Sequence, residues 1–361
     1  MPSYRATDPK DIIQFPEGVR KRFTQDTNSF NEKHPLDPYV SIDDVCHESA
    51  KIMLKNIEME YIEAKKGFAG RTASERLLEV FSESASKEGN IKEPILIFDN
   101  VPIDEEVPPA QSLGLDVNPA SDAIKEKGYV SEWSLAAIST LMGVKLACSP
   151  SVQINRPIHQ VIPHPDKRDE QSSQGDQTFS LHMDGVFYDD LSKAPDDVVL
   201  LTLRTGSKRT YNTYLSISDV VELLTDEERG YIEKPLFEFS PDAIVAHKFP
   251  NVIKAIKDSH RGVSRFRLNL SAMKVADFQS GRFSSDHEYK ICKALVEKIK
   301  RIPVSNPELI GIIENVPGRL VWLNNVDGVL HGREADSQPT KPDGHIRWLQ
   351  RVRTHRPAFK R

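Results

Sequence analysis

Cysteine is scarce in this sequence of 361 residues, which contains Cys46, Cys148 and Cys292. Three widely separated cysteines argue against both a disulfide framework and a thiolate metal site. No apolar run approaches the ~18 consecutive residues that a transmembrane helix needs. The N-terminal stretch MPSYRATDPKDIIQF also lacks the apolar core of a signal peptide, so we expect a cytoplasmic protein.

Positive charge is not in excess either. Lysine and arginine number 48 against 53 acidic residues, and the formal net charge is −5. No basic run is long enough, or interleaved with enough aromatic residues, to follow a phosphate backbone. A Gly-rich phosphate loop, His-Glu-x-x-His, paired Cys-x-x-Cys and Gly-x-Ser-x-Gly are all missing from the sequence. We therefore expect a small-molecule partner, with no nucleic acid and no membrane.

The N-terminal part of the chain has helical patterns. Apolar residues recur at helical spacing in residues 41–67 and again in residues 72–89. Thr72 and Glu75 form a capping-box signal at the start of the second stretch. These patterns predict a helical segment over residues 1–90 that packs on the remaining chain.

The pattern of apolar and polar residues changes after this segment. Short apolar or alternating runs, separated by turn residues, predict strands from residue 94 onward. Hydrophobic residues make up 38% of the chain, which is enough for a sizeable core. We predict a mainly β fold, a barrel or sandwich, with helices packed around it. Residues 164–177 are the most loop-like insertion, and Asp189, Asp190, Asp196 and Asp197 predict a solvated acidic loop.

The stretch SLHMDGVFYDD places His182 and Asp184 two positions apart at the end of a predicted strand. His-x-Asp alone occurs often by chance, and a strand-end pair satisfied by turn amides is the simpler interpretation. A second histidine, His331, follows another apolar strand and precedes Gly332 and Arg333. A buried core histidine is the corresponding alternative for His331.

Two arginines follow within the strand-like run IRWLQRVRT. Arg347 and Arg351 are four residues apart, and alternation in a strand would point both to one face. A buried guanidinium group needs an anion, because an unpaired buried charge is costly. The alternative interpretation of Arg351 is an ion pair on the outside of the barrel.

Together these residues match a known kind of metal site. Two histidines and one carboxylate form the facial triad of non-haem iron(II) oxygenases, which leaves the other metal positions open. A bidentate keto acid and oxygen can occupy those positions. An arginine suits the far carboxylate of the keto acid, because its planar fork makes two parallel hydrogen bonds that lysine cannot.

Over residues 90–355 the chain resembles the clavaminate synthase-like group of iron(II)/2-oxoglutarate dioxygenases, especially the hydroxylases of free arginine, lysine or asparagine. The resemblance rests on VQINRPIHQVIP, FSLHMDGVFYDD, LRTGSKRTYNTYLS, VWLNNVDGVLHGR and DGHIRWLQR. It implies a double-stranded β-helix, or jelly roll, over residues 91–361 as one structural unit. It also implies Fe(II), 2-oxoglutarate as co-substrate, and O2.

The resemblance assigns a role to each matching residue. The implied metal ligands are His182, Asp184 and His331. Arg347 and Thr213 are implied to bind 2-oxoglutarate, with Thr210 as the second choice for the threonine. The implied substrate contacts are Gln153, Arg351, Asn269 and Ser271. No catalytic residue beyond the metal ligands is implied.

The sequence departs from the group at two places. The group usually has His-Thr-Glu where this chain has His182-Met183-Asp184, and its hydroxylases of basic amino acids have acidic residues where this chain has Asn269 and Ser271. We expect hydroxylation of an aliphatic carbon of a free L-amino acid, with lysine- or arginine-like compounds only slightly favoured. Desaturation at the same metal site, a non-catalytic jelly-roll binding protein and a homodimer all stay open.

Overall fold

The computed structural model describes residues 4–6, 12–33, 42–66, 70–86, 93–105, 130–147, 157–163, 175, 177–241, 249–260, 263–325, 328–338 and 346–356. The helices are α1 (Glu17–Lys33), α2 (Ile42–Lys65), α3 (Ala73–Ser86), α4 (Val130–Leu141), α5 (Ile217–Glu222), α6 (Asp226–Ile232) and α7 (Asp286–Ser305). The strands are β1 (Arg5–Ala6), β2 (Ile12–Gln14), β3 (Ile95–Asp99), β4 (Lys145–Ala147), β5 (Ile158–Val161), β6 (Phe179–His182), β7 (Asp197–Arg204), β8 (Thr210–Ser216), β9 (Phe237–Phe239), β10 (Val252–Lys254), β11 (Lys257–His260), β12 (Val263–Phe266), β13 (Met273–Val275), β14 (Ile310–Glu314), β15 (Leu320–Asn324), β16 (Val329–Ala335) and β17 (Trp348–His355).

Two sheets form the centre of the fold. The first has the strand order β1-β14-β8-β16-β6, and the second has the order β2-β3-β15-β7-β17-β4, with β5 also paired to β17. Strands β5 to β8 alternate between the two sheets along the chain, and strands β14 to β17 do the same. Strands far apart in sequence, such as β6 and β16, are therefore neighbours.

Helices α1 to α4 pack on the second sheet. Helix α7 packs on the first sheet, together with the smaller sheets. Phe23 of α1 and Met53 of α2 lie in one buried cluster with Trp322 and Trp348 of the second sheet. Burial of each large apolar side chain is worth about 1.5–3 kcal/mol, so this contact fixes the helices firmly on the sheet. A second cluster joins α7 to the first sheet, for example through Leu295 and Leu330.

The two predicted N-terminal helices are present as α2 and α3. The capping box is confirmed, because Glu75 N donates to Thr72 Oγ1 at 3.1 Å and Thr72 N donates to Glu75 Oε2 at 3.3 Å. The prediction of a helical segment up to residue 90 missed β1 and β2. These strands pair in parallel with β14 and β3, so the N-terminal region also extends both sheets. Runs of two and three residues carry too little periodicity to be recognised.

The run SISDVVELLTDEERGYI, residues 216–232, has the apolar spacing of one helix but forms two. Helix α5 ends at Glu222, and Thr225 begins α6 with its own capping box to Glu228. The strand-like run AIVAHKF, residues 243–249, lies outside the described residues except for Phe249. Within the part of the chain that the structure describes, every helix is too short or too polar to cross a lipid bilayer.

Candidate functional site

The three predicted metal ligands converge inside the fold. His182 ends β6, and its Cα pairs in register with that of His331 on β16. Asp184 lies in the turn after β6, where Gly185 adopts a left-handed φ of 80° that favours glycine. One ligand atom from each of the three side chains lies within 4.8 Å of the others, and all three residues are buried.

The orientation of the rings leaves one nitrogen of each histidine facing the carboxylate. His182 Nδ1 lies 2.9 Å from the carbonyl oxygen of Ser180, which can only accept, so this nitrogen carries the proton. His182 Nε2 is 3.5 Å from Asp184 Oδ1, and His331 Nε2 is 3.8 Å from the same oxygen. Two imidazole nitrogens and one carboxylate oxygen therefore point to a common space.

Asp184 is held through both its backbone and its side chain. Its N–H donates to Asn325 Oδ1 at 2.8 Å, and Asn325 Nδ2 donates back to the carbonyl oxygen of Asp184 at 3.1 Å. Arg353 donates from Nε and from Nη2 to Asp184 Oδ2, both at 2.7 Å. The protein's own contacts thus fix the position of the carboxylate.

The ionisation states of these groups suit metal ligands. Burial raises the pKa of Asp184, but the positive charge of Arg353, with the two histidines and Arg351 beside it, outweighs this effect and holds the pKa well below its ordinary value. Burial, together with the neighbouring His182, lowers the pKa of His331 to about 4. At neutral pH the carboxylate is ionised and the His331 imidazole is neutral, which are the states that bind a metal.

The donor set fits a divalent transition metal. Two neutral imidazoles and one carboxylate are the ligands of non-haem iron(II) sites, and hard-cation sites use oxygen ligands throughout. The ring of Phe179 packs on His182 with centroids 4.3 Å apart, which adds an apolar wall beside the ligands. His182, Asp184 and His331 could therefore hold iron(II) in a buried, partly apolar space.

Comparison with known proteins identifies the fold. No protein-family model matches the sequence, and a search of curated proteins finds no match. A solved structure of asparagine oxygenase in complex with Fe(II), 2S,3S-3-hydroxyasparagine and succinate superposes with a TM-score of 0.62 at 15% identity, over 95% of this chain and 92% of that one. The non-heme iron oxygenase OrfP in complex with Fe, succinate and (3S)-hydroxy-L-Arg gives a TM-score of 0.64 at 14% identity, over 96% and 94%. This chain has the fold of these oxygenases.

The two predicted arginines differ in their placement. Arg351 lies inside β17 with Nη1 4.0 Å from Asp184 Oδ2, so it faces the cluster and is not on the outside of the fold. Arg347 was predicted inside the strand but directly precedes it, since β17 begins at Trp348. Arg347 is buried, and its Nη2 donates to the carbonyl oxygen of Gly175 at 3.1 Å.

Arg353 is a further residue at the cluster, for which no role was predicted. It lies two residues beyond Arg351 on the same strand face, and it makes the shortest polar contacts of Asp184. The alternation that pointed Arg351 inward points Arg353 inward too, so the signal was present in IRWLQRVRT.

Thr213 lies on the wrong sheet face for the 2-oxoglutarate contact that was implied for it. Thr213 pairs with Gly332, whereas Tyr214 pairs with His331. Directly paired residues share a sheet face and successive residues alternate, so the Thr213 side chain lies on the face opposite His331. Thr210, the second choice, is on the His331 face, and its Oγ1 accepts from Asn315 Nδ2 at 3.0 Å.

Of the predicted substrate contacts that the structure describes, Asn269 lies beside the metal ligands and Ser271 does not. Asn269 forms a backbone bridge with His182, but its Oδ1 accepts from Ser271 N, Ser271 Oγ and Ala272 N within a turn. Ser271 is exposed, so the structure does not bring its side chain to the metal ligands. Gln153 lies outside the described residues.

The predicted acidic loop divides into an exposed and a buried part. Asp189 and Asp190 are exposed, as expected of a solvated loop. Asp196 and Asp197 are buried, which corrects that prediction, and Arg265 Nη2 binds Asp196 Oδ1 at 2.6 Å. These carboxylates are therefore structural.

A buried arginine holds the chain that follows Asp184. Arg267 has no exposed surface, and it donates to the carbonyl oxygens of Val186 at 2.9 Å, Asp189 at 3.2 Å and Tyr188. Burial lowers its pKa to about 10, so it stays charged at neutral pH. The segment after the metal motif is thereby fixed to the strand region at residues 263–268.

Proposed function

We propose that this protein is an iron(II)- and 2-oxoglutarate-dependent dioxygenase that hydroxylates an aliphatic carbon of a free L-amino acid. The convergence of His182, Asp184 and His331 at one buried point carries the proposal. It occurs on the fold of two iron oxygenases whose structures hold a hydroxylated amino acid and succinate. The donor set and the fold support the same chemistry independently.

The sheet arrangement supports a double-stranded β-helix. Strands β6, β8, β14 and β16 lie in one sheet, and β5, β7, β15 and β17 lie in the other. Two four-stranded layers filled by alternate strands are the arrangement of a jelly roll. We propose that residues 91–361 form this unit and that the helices of residues 1–90 pack on it through the cluster containing Phe23 and Trp322.

The chain would hold iron(II) through His182, Asp184 and His331. When bound, iron(II) with 2-oxoglutarate and O2 supplies the oxidising power that converts C–H to C–OH, while the keto acid becomes succinate and carbon dioxide. The chain itself positions the reactants and excludes water. Phe179 contributes to this exclusion through its contact with His182.

Two residues are suited to 2-oxoglutarate. Arg347 is buried and carries a planar guanidinium group that can bind a carboxylate through two parallel hydrogen bonds. Thr210 is on the His331 face of β8 and can donate its hydroxyl proton while accepting from Asn315. We propose Arg347 with Thr210, in place of Thr213, as the 2-oxoglutarate contacts.

The substrate carboxylate is assigned to Arg351. This side chain is on the inward face of β17 and close to Asp184, so a carboxylate bound to it would lie beside the metal. The neighbouring Arg353 is already committed to Asp184 Oδ2. An amino acid bound here would meet positive charge at its carboxylate end, which suits an α-amino acid.

A substrate screen tests the proposal. Purified protein with iron(II), 2-oxoglutarate and ascorbate should release succinate faster when one of the standard amino acids, citrulline or ornithine is added. A product heavier by one oxygen atom means hydroxylation, and a product lighter by two hydrogen atoms means desaturation. Absence of stimulated turnover with every compound would favour the non-catalytic binding protein.

A matched pair of compounds tests the Arg351 assignment. The carboxamide of the active amino acid should be a poor substrate, because it has no carboxylate for the guanidinium group. Arg351→Gln should lose most activity on the amino acid and discriminate little between acid and carboxamide. Unchanged discrimination in the variant would remove Arg351 from the substrate site.

A further inference from the structure

We propose that Arg353 is a positioning residue that orients Asp184 so that only its Oδ1 is presented to the metal. The inference rests on the proposed function, since it concerns the same metal centre.

The two oxygens of Asp184 have different surroundings. Oδ1 faces the Nε2 atoms of His182 and His331, at 3.5 and 3.8 Å. Oδ2 faces away from them and receives both Nε and Nη2 of Arg353 at 2.7 Å. One oxygen is therefore available to a metal, and the other is taken by the guanidinium group.

Both partners of this ion pair are fixed by the backbone. Arg353 lies in β17 between two other strands, since its Cα pairs with Val198 of β7 on one side and with Ala147 of β4 on the other. The backbone of Asp184 is held by two hydrogen bonds with the buried side-chain amide of Asn325, one in each direction. The carboxylate cannot turn without breaking contacts that the fold keeps in place.

The charge of Arg353 matters because the site is buried. Asp184 and Arg353 side chains are only 7% and 13% exposed, so water cannot stabilise the carboxylate in place of the arginine. A buried charge without its partner is strongly unfavourable. Arginine is also protonated at all accessible pH values, and its planar fork fixes direction as well as charge.

The consequence concerns the orientation of a metal ligand. If Oδ2 were free, the carboxylate could turn, and Oδ1 would no longer be held beside the two histidine nitrogens. Residues that hydrogen-bond to a metal ligand and orient it typically change metal affinity by roughly 10–100-fold when they are removed. The geometry therefore gives Arg353 a measurable effect on metal binding alone, without turnover.

The test uses cobalt(II) as the metal probe. Arg353→Met keeps the side-chain bulk and removes the charge and the fork. The matched control is Arg265→Met, because Arg265 binds the buried Asp196 at 2.6 Å with 14% side-chain exposure, yet neither residue belongs to the metal cluster. Isothermal titration of the metal-free full-length proteins gives the cobalt dissociation constants, and their thermal unfolding temperatures report folding.

We expect Arg353→Met to weaken cobalt binding by roughly 10-fold or more, while Arg265→Met changes it less than about twofold. Both variants should unfold at lower temperature, so loss of stability alone cannot explain the difference. Equal or tighter cobalt binding by Arg353→Met would overturn the inference, as would equal weakening in both variants. Failure of the unsubstituted protein to bind cobalt would overturn the proposed function as well.

Discussion

His182 and His331 stand opposite each other on neighbouring antiparallel strands, with their Cα positions in register and their ring centroids 4.6 Å apart. The pairing of β6 with β16 brings together two residues that are far apart in the sequence. Because paired residues project to the same sheet face, both imidazoles enter the same space. The turn at Gly185 then keeps Asp184 beside them.

Removal of one metal ligand should abolish activity. His331→Ala, His182→Ala or Asp184→Ala is expected to lower iron-dependent succinate formation by at least about 100-fold, because an open site with three protein ligands tolerates little loss. Succinate release is the measurement, and circular dichroism checks the fold. His287→Ala, at an exposed position of α7, is the control and should keep full activity. Turnover retained in one ligand variant would remove that residue from the site.

Arg347→Lys should raise the requirement for 2-oxoglutarate. Lysine keeps the charge but loses the two parallel hydrogen bonds, and a hydrogen bond to a charged group is worth about 1.5–3 kcal/mol. The KM for 2-oxoglutarate should therefore rise by roughly 10-fold or more. Steady-state succinate release at varied 2-oxoglutarate measures it. A KM within about twofold of the unsubstituted protein would assign the co-substrate carboxylate to another residue.

Gly332→Ala should separate the two strands that carry the histidines. A Cβ at Gly332 would lie 2.5 Å from the carbonyl oxygen of Phe179, so β6 would have to move. We expect a loss of about 1–3 kcal/mol in the free energy of unfolding, together with weaker cobalt binding. Denaturant unfolding and metal titration measure the two effects.

Gly230→Ala is the matched control for this substitution. Gly230 lies in α6, and a Cβ there meets nothing within 4 Å. Alanine in a helix is favoured over glycine by about 1 kcal/mol, so this variant should be slightly more stable with unchanged metal binding. Equal stability and equal metal affinity in the two variants would show that the contact with Phe179 does not restrict the side chain at residue 332.

Ionisation of Glu288 should make the free energy of unfolding depend on pH in the acid range. Hydrogen bonds from Lys234 and Ser284 lower its pKa to about 2, from an ordinary value of 4.5. A lowered carboxyl pKa stabilises the folded state above pH 4.5, and this contribution is lost as the pH falls from about 4.5 to 2. Glu288→Gln should therefore cost about 1–2 kcal/mol at pH 7, allowing for solvent screening at the half-exposed Lys234, and progressively less below pH 4.5.

The measurement is the difference in unfolding free energy between the unsubstituted protein and Glu288→Gln at several pH values. Glu297→Gln, at an exposed position of the same helix, is the control and should show little difference at any pH. A difference for Glu288→Gln that stayed constant down to pH 2 would contradict the assigned ion pair.

The role of a residue could be predicted from the sequence where its side chain has few chemical uses. His182, Asp184 and His331 were predicted from ligand chemistry and resemblance, and the structure brings them together. The inward direction of Arg351 followed from strand alternation and is confirmed by its contact with Asp184.

Other features depend on strand pairing, which the sequence does not specify. The face of Thr213 is decided by its partner Gly332, and a shift of one residue would reverse it. The burial of Asp197 depends on its place at the start of the central strand β7, which is paired with other strands on both sides. Strands β1 and β2 exist because longer strands beside them supply hydrogen bonds, so two or three residues suffice.

The central claim is most directly tested by anaerobic visible spectroscopy of the purified protein with iron(II) and 2-oxoglutarate. A keto acid bound to iron(II) through two oxygens gives a weak charge-transfer band, which requires open positions beside the three protein ligands. We predict that the band forms only when both iron(II) and 2-oxoglutarate are present, and that Asp184→Ala and His331→Ala abolish it. Absence of the band in the unsubstituted protein, or its persistence in both variants, would contradict the account.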